Sequence, residues 1–104
     1  MTQRIPQCIL NAHTSADTSN PYALDYRFDQ NATHSIAGTL TAGDTIILLV
    51  SPNTAQQITD GLPDVFVTAA TYTSATFADV FHGSWPRVKI QKTGTAGAAS
   101  VYVV

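Results

Sequence analysis

The stretch from Trp85 to Val104 constrains the fold more than any other part of the chain. Val88 and Ile90 alternate with Arg87, Lys89 and Gln91, the period-two pattern of a strand with one face buried and one wet. Val101 and Val103 alternate in the same way with Ser100, Tyr102 and Val104. Between the two arms, Thr93-Gly94-Thr95-Ala96-Gly97 supplies small residues and two glycines able to take positive φ. The spacing predicts strand, glycine-rich turn and strand, paired as a closing hairpin. The valine-rich last residues are expected to sit in a sheet or an interface.

The rest of the chain repeats this rhythm. Gln3 to Leu10 reads as a first strand, placed at an edge by Pro6. Asn11 to Pro21 is a polar loop, free to move or to drape over a neighbour. Tyr22 to Phe28 sets Tyr22, Leu24, Tyr26 and Phe28 on one face, a large aromatic packing surface. His34 to Leu40 is a short strand. Thr45 to Val50 is apolar and β-branched, as in a central strand buried on both sides or one with its outer face under a partner. Ala55 to Thr59 reads as a weak strand or a single helical turn. Asp60-Gly61-Leu62-Pro63-Asp64 is a turn, and Val65 to Tyr72 and Ala75 to Phe81 are further strands. Seven to nine short strands with frequent turns predict an all-β chain. The expected architecture is one antiparallel β-sandwich over residues 1–104, jelly-roll or immunoglobulin-like.

Composition agrees. The chain holds seven Asp, no Glu, two Lys, three Arg, fifteen Thr and fourteen Ala, a balance that leans from helix to sheet. A charged fraction of 12% beside 44% hydrophobic residues excludes a disordered chain and favours an assembled state. A net charge of −2 gives no electrostatic reason to expect nucleic acid as a partner. The longest apolar run, Ile46 to Val50, is too short to cross a bilayer as a helix, so no membrane role is expected. The Met1 segment lacks a basic start and an apolar run, so synthesis and folding in a cytosol are expected. Cys8 stands alone, excluding an intrachain disulfide.

No stretch carries a catalytic constellation. His13, His34 and His82 are scattered without metal-ligand spacing. Asp60 and Asp64 flank a Gly-Leu-Pro turn, where aspartate commonly bonds its own backbone, and with Asp79 they form the best available carboxylate set. Ser84 forms no nucleophile elbow. Neither enzyme activity nor a cofactor is therefore expected. The concentrated polar stripe is Arg87 and Lys89 with Trp85, and Trp and Arg are the types most enriched at interface hot spots. With Tyr102 on the return arm, these four are the candidate protein-interface residues. A carbohydrate-binding β-sandwich, stacking sugar on Trp85 or an exposed tyrosine, is the alternative.

From Phe81-His-Gly-Ser-Trp-Pro-Arg-Val-Lys-Ile through Thr-Gly-Thr-Ala-Gly to Val104, the chain resembles the closing hairpin of small β-sandwich proteins on tailed-bacteriophage particles. The resemblance covers about the last quarter of the chain. It implies a structural virion protein, a capsid decoration or cement subunit on the phage head surface, made in the host cytoplasm. It further implies the major capsid protein as partner, clamping of its lattice as dimers or trimers, and no catalytic residues. Head-fibre and tail accessory subunits are the related roles.

Overall fold

The computed structural model describes residues 7–23, 33–83 and 85–104. Eight strands are present: β1 Gln7–His13, β2 Tyr22–Ala23, β3 Thr33–Thr39, β4 Thr45–Ser51, β5 Val67–Tyr72, β6 Thr76–His82, β7 Arg87–Thr93 and β8 Ala99–Val103. One helical turn, α1 Ala55–Thr59, interrupts them. Its start is a capping box: Thr54 Oγ1 accepts from the Gln57 amide, and the Gln57 side chain accepts from the Thr54 amide. That reciprocal pair decides between the strand and the helical turn expected of this segment. Gln3 to Pro6 and Leu24 to Phe28, both expected in strands, lie outside the described residues.

The strands form two four-stranded antiparallel sheets, ordered β1-β8-β3-β6 and β2-β7-β4-β5. β1 pairs with β8, β2 with β7, β3 with β6, and β4 with β5. This is one long antiparallel ladder, rolled so that β8 also meets β3 and β7 also meets β4. Rolling a ladder in this way gives the jelly-roll form of the sandwich.

The inner faces are as the alternation requires. Ile36, Val101 and Val103 in one sheet and Ile46, Leu48, Val50, Val88 and Ile90 in the other are almost wholly buried. Leu10, Leu40, Phe77 and Phe81 complete the core at its margins. β4 is central in its sheet, yet only its inner face is fully buried; Ile47 and Leu49 on the outer face are half-buried.

The closing segment departs from the expected hairpin. β7 and β8 lie in different sheets, and Thr93 to Ala98 carries the chain across the sandwich. The cause is an ion pair inside the barrel end. Lys92 follows Val88 and Ile90 on the inward face and is 1% exposed. Its Nζ lies 3.1 Å from Asp44 Oδ2, and Asp44 is itself buried just before β4. Nζ also donates to the carbonyls of Gly94, at 2.6 Å, and Thr14, at 3.4 Å. The two Asp44 oxygens accept from the amides of Ala96, at 2.9 Å, and Gly97, at 3.2 Å. A carboxylate that gathers two loop amides and an ammonium fixes the crossover. Gly94 takes φ 87°, and a Cβ there would run into the Asp44 carboxylate, so this position requires glycine.

The polar loop after β1 is also fixed. Lys92 N donates to Asp17 O and Ser19 N to Ile90 O, while Thr18 forms a bridge with Gln91. The Ser19 hydroxyl accepts from Ile90 N at 3.0 Å. Asp17 to Ser19 thus acts as a strap laid along β7 on the side that β2 occupies at Arg87 and Val88. β1 itself carries two register shifts against β8, and Ala12 there adopts φ 48°, as in a bulged edge strand.

The Ala96 amide, followed by Lys92 and Gly97, outweighs the opposing effect of burial and holds the Asp44 carboxyl below its usual value. A depressed folded pKa stabilises the fold above the unfolded value, and that stability is lost as pH falls through the folded value. The melting temperature of the wild type is therefore expected to drop below about pH 4, and Asp44→Asn should flatten that acid limb. Lys92→Met, which strands the carboxylate, is expected to cost about 3 kcal/mol in urea unfolding at neutral pH.

Candidate interaction face

The outer face of the β1-β8-β3-β6 sheet follows directly from its registers. Cys8, Tyr102, Ala37 and Ala78 lie in one row across the four strands. Ser35 opposes Val80 in the next row, and Thr39 opposes Ser100 and Thr76 in another. None of these side chains carries a formal charge. Most are too small to rise far from the sheet, whereas Val80, 55% exposed, and Tyr102, 45% exposed, stand out from it. A shallow hollow of about 220 Å³ lies beside Tyr102, bordered by Ser35, Ala37 and Val104. Val104 is tied to Ser35 by two backbone bonds, so this edge of the hollow is part of the ladder. The Cys8 thiol is exposed, donates to the Leu10 carbonyl at 3.3 Å, and raises the neighbouring Tyr102 phenol above its ordinary pKa.

A flat sheet face of small, uncharged side chains costs little to desolvate, because no ion must leave water. An aromatic side chain projecting from it is the usual kind of anchor for a partner's pocket. A sheet that only meets water more often alternates its apolar inner row with charged outer positions.

The other three candidate interface residues sit elsewhere. Arg87 points to the outer side of β7, as its alternation requires, but is only 7% exposed. Its guanidinium donates to Asn53 O at 2.8 Å, Ser51 Oγ at 3.3 Å and Asp64 Oδ1 at 2.7 Å. Phe66 lies beneath it, 5.0 Å from ring centroid to Cζ. Arg87 therefore locks the long β4–β5 connection onto the sheet. Lys89 Nζ lies 4.1 Å from the same ring and is half-buried. Trp85 packs on the core and donates its indole N–H to His82 O at 3.0 Å. The structure thus separates Tyr102 from Trp85, Arg87 and Lys89, placing them on opposite sheets or at the sandwich end.

The remaining polar residues are dispersed. Asp60 meets Gln56, Asp64 meets Arg87, and Asp79 accepts from Tyr72 at 2.9 Å. Burial and the Asp79 carboxylate raise the Tyr72 phenol strongly, and its ring stacks on Phe77 at 4.6 Å. These contacts join β5 to β6 where the chain passes between sheets. His34 is buried and stacks on Phe81, His82 meets Thr33, and His13 meets Asp17. Among the described residues no three His, Cys, Asp or Glu side chains cluster as a metal site. No family model, curated protein or solved structure matches the chain.

The alternation puts Ser100, Tyr102 and Val104 on one side of β8, but that this side is part of a broad uncharged face depends on which strands flank β8. Arg87 should behave as a structural residue and Tyr102 as a surface one. Arg87→Ala is expected to lower unfolding stability by about 2–3 kcal/mol. Tyr102→Ala is expected to stay within about 0.5 kcal/mol of wild type in the same denaturant titration.

Proposed function

We propose that the chain is a structural virion protein of a tailed bacteriophage, a capsid decoration subunit that seats the outer face of its β1-β8-β3-β6 sheet on the major capsid protein lattice. The uncharged row Cys8-Tyr102-Ala37-Ala78, with Val80 beside it, carries this reading. The likeness of the Phe81–Val104 segment to virion β-sandwich proteins supplies the particular partner. A jelly roll by itself does not, since lectin and enzyme domains share that architecture.

The size of the face bears on stoichiometry. Four strands about 4.8 Å apart and five to seven residues long span roughly 19 by 17–23 Å, or about 320–440 Å² of flat surface. A standard stable interface takes about 800 Å² from each partner. One copy would bind weakly, and two or three joined copies would gain by effective concentration. The reading therefore includes a homo-oligomer, a dimer or trimer, on the shell. Such binding stabilises the assembled lattice because only the lattice offers the site.

Co-sedimentation with empty shells tests this. Wild-type protein should pellet with the shells, and Val80→Asp and Tyr102→Asp should each lower occupancy at least tenfold while melting like wild type. Undiminished occupancy by folded variants of both kinds would refute the assignment of this face. Saturable pelleting with a glycan resin and none with shells would favour the carbohydrate-binding alternative.

A further inference from the structure

We infer that the cleft between β1 and the Asp17–Ser19 strap is a binding site for one neutral cyclic polyol, of the size and chemistry of a hexose ring. The cleft has a volume of about 440 Å³, within the range of small-molecule sites. Leu10 and Tyr22 give it apolar wall, and His13, Asp17 and Asn20 give it polar groups. A sugar ring has that same division, with C–H faces that favour an apolar or aromatic surface and hydroxyls that need donors and acceptors.

The polar groups are held before any ligand arrives. Asp17 Oδ1 is 2.7 Å from His13 Nε2, which fixes the carboxylate plane. The backbone beneath it is bonded to β7 through Lys92 N and Ser19 N. Preorganisation of this kind reduces what binding must overcome. The second Asp17 oxygen and the Asn20 amide make no side-chain hydrogen bond to the described residues. Asp17, with a side chain 55% exposed, faces solvent as an acceptor for hydroxyl donors. A carboxylate can take two adjacent hydroxyls, and an amide supplies both a donor and an acceptor for a third.

Charge selects against acidic ligands. Among the described residues, the lining includes Asp17 but no Lys or Arg. Lys92 reaches the loop before the strap at Thr14 O but is buried and paired with Asp44. A uronic acid or phosphate would therefore bring its charge beside the Asp17 carboxylate, whose described side-chain partner is the His13 ring. The site is distinct from the uncharged outer face, and its occupancy does not depend on the capsid assignment.

The test is a ¹⁵N–¹H NMR titration of the full chain with methyl glycosides of glucose, galactose and mannose. At least one should produce saturable shifts confined to the Asp17–Asn20 amides and their β1 neighbours, with a Kd on the order of millimolar. Asp17→Asn and Asn20→Ala should each weaken that binding, the first by roughly tenfold, since a hydrogen bond to a charged acceptor is lost. Thermal melts would show both variants folded. Methyl glucuronide should bind at least several-fold more weakly than methyl glucoside. The preferred hexose at the end of a trisaccharide should bind no more weakly than its methyl glycoside if the natural source is a glycan terminus, and markedly more weakly if it is a free sugar. Absence of saturable shifts with all three glycosides would overturn the inference. So would shifts that persist unchanged in both folded variants, or equal binding of the glucuronide.

Discussion

The fold depends on an ion pair that its core would not be expected to contain. Lys92 and Asp44 are both nearly inaccessible to solvent, in a sandwich whose buried cluster is mainly aliphatic and aromatic, with His34 stacked on Phe81. Two buried charges are tolerable only when their remaining hydrogen-bonding capacity is also met. Here it is met by backbone: Thr14 and Gly94 carbonyls for the ammonium, and Ala96 and Gly97 amides for the carboxylate. Those four groups belong to the loop that follows β1 and to the crossover between β7 and β8. One pair thus ties the first loop and the last to the start of β4. An apolar pair could fill the same space, but it could not direct the loops that carry the chain from sheet to sheet.

This explains which parts of the fold were legible in the sequence. Alternation in Val88-Lys89-Ile90 and Val101-Tyr102-Val103 correctly assigned inner and outer faces, since burial imposes period two on any sheet of this kind. The all-β sandwich followed from the number of such segments. Strand pairing did not follow, because a glycine-rich link of this length suits either a hairpin or a crossover. The missing signal was Lys92. Its place two residues beyond Ile90 puts it on the buried face, and a buried lysine requires a buried acid. Asp44, which follows Gly43 directly before β4, has the sequence context of an ordinary turn residue.

Arg87 illustrates the converse. An arginine on the outer row of an edge-near strand suggests a binding surface, but the connection after α1 folds over it. Asp64, Ser51 and the Asn53 carbonyl engage the guanidinium, and Phe66 lies against it. Asp64, the last residue of the turn read as a local motif, gains a second role as a partner of that arginine. The surface left open lies on the opposite sheet, where Tyr102 and Val80 rise from small neighbours. Among the described residues, Lys92, Asp44, Arg87 and Asp64 serve internal fastening, and the outer rows of the β1-β8-β3-β6 sheet carry no Asp, Lys or Arg. That division is compatible with a packing subunit, and the strap-side cleft adds a second, chemically different surface.

Amide hydrogen exchange measured residue by residue tests the central role of the buried pair. If Asp44 and Lys92 fasten the crossover, the Ala96 and Gly97 amides should exchange about as slowly as those of the flanking β7 and β8 strands. Exchange as fast as in an open connection such as Thr73 to Ala75 would contradict it.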